Sequence, residues 1–219
     1  MRNQLIFSLL GVLLFTQTMA QQFVAPSNSF SHKKPAYLTM ADGTELEVTI
    51  KDIDRKKGLI KKIKVVDNDG NKVEYMPEEI AFMYLPPSGF DNMVKAMDAL
   101  TDAQKWNDEK LDQDLLNQGY AFFELAEVKV NKKVRSLQMQ LINPSFSKKI
   151  KIYHDPFAKE TMSVGVGGID VAGGNAKSYY ILVDENNPAY KFEKKDYKKV
   201  FKDIYKSCDN VSSKFSKPS

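Results

Sequence analysis

Between Ala36 and Pro87 the chain passes from one strand-like run to the next at intervals of about ten residues, and this rhythm constrains the fold more than any other feature. In AYLTMADGTELEVTIKDI, Leu46, Val48 and Ile50 alternate with polar residues, so every second side chain falls on one face. The Asp42-Gly43 pair between the two halves of that stretch has the chemistry of a hairpin turn. The polar turn DRKKG leads into LIKKIKVVD, and the cluster Asp67-Asn68-Asp69-Gly70-Asn71 leads into KVEYM, which predicts a second hairpin. PEEI and AFMYLP complete about five strands, a spacing typical of a small barrel or curled sheet.

After Pro86-Pro87 the period changes from 2 to 3.6. Ser88 with Asp91 resembles a cap, and Phe90, Met93, Val94, Met97 and Leu100 mark one apolar face. Thr101 with Gln104 repeats the cap before Trp106, Leu111, Leu115 and Leu116, and Gly119 closes the stretch. YAFFELAEVKV, RSLQMQLIN and KKIKIYH then read as strands, with Asn143-Pro144-Ser145 turning between the last two. Near the end, Tyr197, Val200, Phe201, Ile204, Tyr205 and Cys208 form the stripe of an amphipathic helix. The expected fold is α+β: a small antiparallel barrel-like module at 36–87, a helical connector at 88–118, and a second antiparallel β region at 119–209 that ends in that helix. Residues 21–35, rich in Ser, Pro and Asn, read as a flexible leader, and 210–219 as a flexible tail.

The first twenty residues have the form of a secretory signal: Arg2, an apolar run from Leu5 to Phe15, and the small residue Ala20 before Gln21. Cleavage after Ala20 leaves 199 of the 219 residues, enough to bury on the order of 70% of the unfolded surface. The only cysteine is Cys208, so an exported chain of this kind stands on its core without disulfides. The formal charge of +4, spread among interleaved acids and bases, argues against a nucleic-acid partner.

Chemical motifs are thin. Asp67, Asp69, Asn71 and Glu78 fall at positions 1, 3, 5 and 12 of a calcium loop, but Lys72 stands where the loop needs Gly, so no metal is expected there. Five of eleven glycines lie between Gly165 and Gly174, ahead of Lys177-Ser178. A phosphate loop in that frame needs glycines at Ala176 and Val171, and a dinucleotide fingerprint needs one at Asp170. The segment therefore reads as a β-hairpin that turns at Gly173-Gly174-Asn175. Its candidate ligand surface is Gly173, Gly174, Lys177, Tyr179 and Tyr180. His32 and His154 belong to no metal spacing, and a Cys208–His154 dyad competes with a purely apolar role for Cys208. No catalytic residue, metal or cofactor is assigned.

The passage AYLTMADGTELEVTIKDID, the later YMPEEIAFMYLP, the signal ending TMAQ and the KSYY hairpin resemble exported proteins of unknown function from Bacteroidota. That resemblance implies an envelope location, a barrel-like first module and no catalytic residues to carry over. The leading expectation is an exported, non-catalytic protein that binds an envelope protein or glycan, in the periplasm or outside the cell. One alternative is a hydrolase of envelope polymers working through carboxylates. Another is a peripheral membrane protein held by the lysines of the last helix, Lys194, Lys195, Lys198, Lys199, Lys202 and Lys206. A carboxylate pair facing one cleft favours the hydrolase, whereas an open sheet edge favours binding.

Overall fold

A computed structural model describes residues 23–88, 110–158, 160–166, 169–175, 178–192 and 196. The first hairpin forms where Asp42-Gly43 predicts it. Strand β1 (Pro35–Met40) pairs antiparallel with β2 (Glu45–Lys56), and the turn is tied by Gly43 N–H to Met40 O and by Thr44 N–H to the Asp42 carboxylate. Strand β2 runs on through Asp54, Arg55 and Lys56, so the polar stretch read as a turn is mostly strand. The reversal takes two residues, Lys57 and Gly58, both at positive φ, before β3 (Leu59–Val66). Two left-handed residues match the right-handed twist of the flanking strands. Strand β4 (Lys72–Tyr75) follows the 67–71 cluster, in which the Asp67 carboxylate accepts from Asp69 N, Asn71 N and Asn71 Nδ2. The cluster is thus an Asx-bonded hairpin turn. A 3-10 turn at Pro77–Glu79 leads to β5 (Ile80–Leu85), which pairs with β1.

The expected barrel does not close. Strand β1 has β2 on one edge and β5 on the other, so β4 is left as an edge strand, and β5 passes its outer edge to β6 (Ala121–Val130). The two β regions, whose sharing of one core the sequence leaves open, form one sheet. Phe82 lies opposite Glu124, Met83 opposite Phe123 and Tyr84 opposite Phe122, so the sheet continues through the boundary expected at 88–118. Only a five-residue helix, α1 (Gln113–Asn117), is described within that stretch. Asp112 caps it, and Gly119 follows at positive φ. The apolar face from Phe90 to Leu100 lies outside the described residues.

Strand β6 forms a hairpin with β7 (Lys133–Gln140), while β8 (Lys151–His154), β11 (Tyr179–Leu182) and β12 (Ala189–Phe192) pair in the order β12-β11-β8. Ala189 and Tyr190 lie parallel to Val128 and Lys129, which makes this ten-stranded sheet mixed rather than antiparallel throughout. At the far side a single bridge, Leu141 opposite Tyr153, with Ile142 N–H donating to Ile152 O, links the end of β7 to β8. The sheet curls back on itself there without closing. Strands β9 (Glu160–Val166) and β10 (Ile169–Asn175) form a separate two-stranded ribbon.

The central strands are apolar on both faces because both are covered. Leu38, Val48, Ile50, Ile63, Val65, Met83, Leu85, Ala121 and Phe123 pack on one side, and Tyr84, Phe122, Ala126, Val128, Met139, Leu141, Tyr153 and Tyr180 on the other. Alternation explains the split, since Met83 and Tyr84, like Phe123 and Phe122, are neighbours that point oppositely. The stretch expected as a flexible leader is held against the sheet from Phe23 onward. Val24 N–H donates to Ile142 O, Ser27 N–H to Gln140 Oε1, and Phe30 is buried edge-on to Phe123. Residues 1–22 and the expected C-terminal helix face, Tyr197 to Cys208, lie outside the described residues.

Candidate functional site

The expected glycine-rich site divides between two places. Gly173 and Gly174 lie within β10, not at its turn, and the register shifts there between Ala172 and Gly174; the β9–β10 pairing begins with Ile169 opposite Val166. Tyr179 and Tyr180 belong to β11 in the main sheet, where they face His154 and Tyr153 of β8. Tyr180 is buried, and Tyr179 meets Phe23 at 5.8 Å between ring centroids. Lys177 lies outside the described residues, so the five are not drawn together into one surface by anything described.

Polar groups instead gather on the curled side of the sheet. Glu124 of β6 receives the hydroxyl of Tyr153 at Oε1 (2.8 Å) and the ammonium of Lys151 at Oε2 (2.8 Å). Burial, with the adjacent Glu124 carboxylate, pushes the Tyr153 phenol well above the usual tyrosine range, so it stays a donor. Just past β8 the chain turns at Asp155, whose side chain has no solvent exposure. Its Oδ1 accepts from Phe157 N–H at 2.9 Å, and its Oδ2 receives Ser178 Oγ at 2.8 Å and Lys191 Nζ at 2.9 Å. Ser178 gives its proton to a carboxylate and not to an imidazole, so the Ser, His and Asp here are not arranged as a nucleophile with a base behind it. Each carboxylate, Asp155 wholly buried and Glu124 partly so, has its own lysine.

Two other groups are left over. Among the described residues, His154 Nε2 is buried and has no hydrogen-bond partner; burial, opposed by Asp155 and reinforced by Arg55, holds its imidazole below the usual histidine range. Arg55 Nη2 is likewise buried and unpartnered, and burial alone acts on its guanidinium, pulling it down. The chain brings these groups into one seam. The β2–β3 hairpin tip is pressed on the corner after β8 so closely that a Cβ on Gly58 would collide with the carbonyl of Pro156. A register shift in β2 falls between Asp54 and Arg55, and such bulges re-aim a side chain. Sequence reasoning missed Arg55 because it took DRKKG as turn. The Lys57-Gly58 pair was the available signal, since a two-residue loop there puts Arg55 in the strand. A third orphan, Gln138 Oε1, is structural in setting: its amide nitrogen clamps Pro77 O and Ile80 O, tying β7 to the 3-10 turn.

Among the described residues no three His, Cys, Asp or Glu side chains are grouped to hold a metal, and no helix is long and apolar enough to cross a membrane. The fold and site together define a β-rich protein with an open, curled mixed sheet and a polar seam between its two halves. No family model, curated protein or solved structure matches the chain.

Proposed function

We propose that the chain is an exported, non-catalytic binding protein of the bacterial cell envelope. The observation that carries this reading is the commitment of two carboxylates to internal partners, the partly buried Glu124 to Lys151 and Tyr153, the wholly buried Asp155 to Lys191 and Ser178. General acid–base hydrolysis needs a carboxylate free to exchange a proton with substrate, and a carboxylate held by an ammonium and a second donor is poorly disposed to do so. The edge of β4, which no described strand pairs, supports binding as well, because an unpaired row of backbone groups is a ready surface for a partner. Export rests on the signal-like segment ending at Ala20. In this reading 88–118 is a helical connector, and the lysine-bearing segment toward Asp209 is a helix packed on the second half of the sheet.

The test is to incubate residues 21–219 with purified envelope and follow both retention and release of soluble fragments. Retention without release above a boiled control is the expected result. Release that disappears in Glu124→Gln or Asp155→Asn would establish the hydrolase instead.

A further inference from the structure

We infer that the seam between the β2–β3 hairpin and the His154–Asp155 corner binds an oxyanion, a phosphate or carboxylate group of the ligand. This rests on the binding reading and adds the chemistry of the bound group. Arg55 carries a permanent charge and five donors, and its Nη2 is shut away from water with no acceptor among the described residues. Arg55 is partly buried, but a guanidinium nitrogen closed off without an acceptor carries a desolvation cost that a bound acceptor relieves. Among the described residues the nearby carboxylates are taken: Asp52 and Asp54 on the same strand both hold Lys64, and Asp155 holds Lys191. The face of Phe30, 5.9 Å from the guanidinium carbon, offers a weak cation–π contact but no acceptor. His154 Nε2, the second orphan, adds a donor once the ring carries a proton there. A guanidinium and a ring N–H donor match an oxyanion in sign and in hydrogen bonding. A metal cation would be repelled by Arg55, and an apolar ligand would leave both nitrogens unpaired.

The probes are inorganic phosphate and vesicles of phosphatidylcholine with and without phosphatidic acid, applied to residues 21–219 at matched ionic strength near pH 6. Phosphate at about ten times its Kd should raise the Tm by about 3–6 °C over chloride. In Arg55→Met that rise should vanish, while the ligand-free Tm stays level or increases because a buried nitrogen without an acceptor has been removed. Vesicle flotation that needs phosphatidic acid and is lost in Arg55→Met, without a phosphate effect, would support the site and identify a lipid headgroup as the source. Should Arg55→Met fold poorly, the Nε2 resonance of His154 in the native chain must move on adding phosphate or acidic vesicles. No response to either probe, or a response unchanged in Arg55→Met, overturns the site. Fragment release from envelope, by contrast, would overturn the binding reading and leave an oxyanion site standing.

Discussion

At the scale of single residues, the contrast between Asp155 and Glu74 shows how position sets the value of an ion pair. Asp155 is wholly buried with three donors around it, so Asp155→Ala strands Phe157 N–H, Ser178 Oγ and Lys191 together. Urea unfolding should register a loss of about 2–4 kcal/mol. The Lys62–Glu74 pair joins two partly exposed side chains, and Lys62→Met should cost far less than Asp155→Ala in the same assay. His154 gives stability a pH dependence whose sign follows from its lowered basicity. The unfolded chain takes up the proton at higher pH than the folded one, so stability falls as pH drops below the usual histidine value of about 6.5 and levels off once the folded ring is also charged. Denaturation midpoints between pH 8 and 5 should decline less in His154→Gln than in the native chain.

At the scale of elements, the turns divide into those that need only a left-handed residue and one that also needs room. Gly43 and Gly70 stand at positive φ with nothing near a substituted Cβ, so Ala there should cost about 1–2 kcal/mol of backbone strain. Gly58 has the same backbone requirement and is also pressed against Pro156 O, so Gly58→Ala must lift the hairpin tip off the corner. Urea unfolding should show a clearly larger loss than for Gly43→Ala. The turns themselves were legible: Asp42-Gly43, the 67–71 cluster and Asn143-Pro144-Ser145 reverse the chain where their chemistry says. The ribbon of β9 and β10 was only half legible. Glycine allows either a turn or a strand bulge, and the pairing of Ile169 with Val166 puts the reversal ahead of Gly173-Gly174.

At the scale of the whole molecule, β5 and β6 make the two halves of the sheet one structure. Met83 and Leu85 share a core layer with Ala121 and Phe123, and on the other face Tyr84 packs on Phe122 at 5.0 Å between ring centroids. Cleavage by limited proteolysis anywhere within 89–109 should therefore leave two fragments that co-elute in native size-exclusion chromatography and part only in denaturant. Separate elution would mean that the β5–β6 pairing does not hold the halves together. The same continuity accounts for the candidate site: Arg55 comes from one half and His154 from the other, nearly a hundred residues apart, and no spacing in the chain relates them.

The amino-acid sequence by itself determined the β-rich character, most strand positions and the turn chemistry, because alternation and left-handed preferences act between residues a few positions apart. It also set which side chains can face inward, since a period of two is a property of the backbone. The tertiary structure alone decided that the first five strands stay open and hand their edge to β6, that β12 joins in parallel, and that the leader packs from Phe23 onward. Those outcomes depend on which edges and faces meet after the strands exist. Local pattern does not encode them, and the same holds for the seam where two buried nitrogens are left without partners.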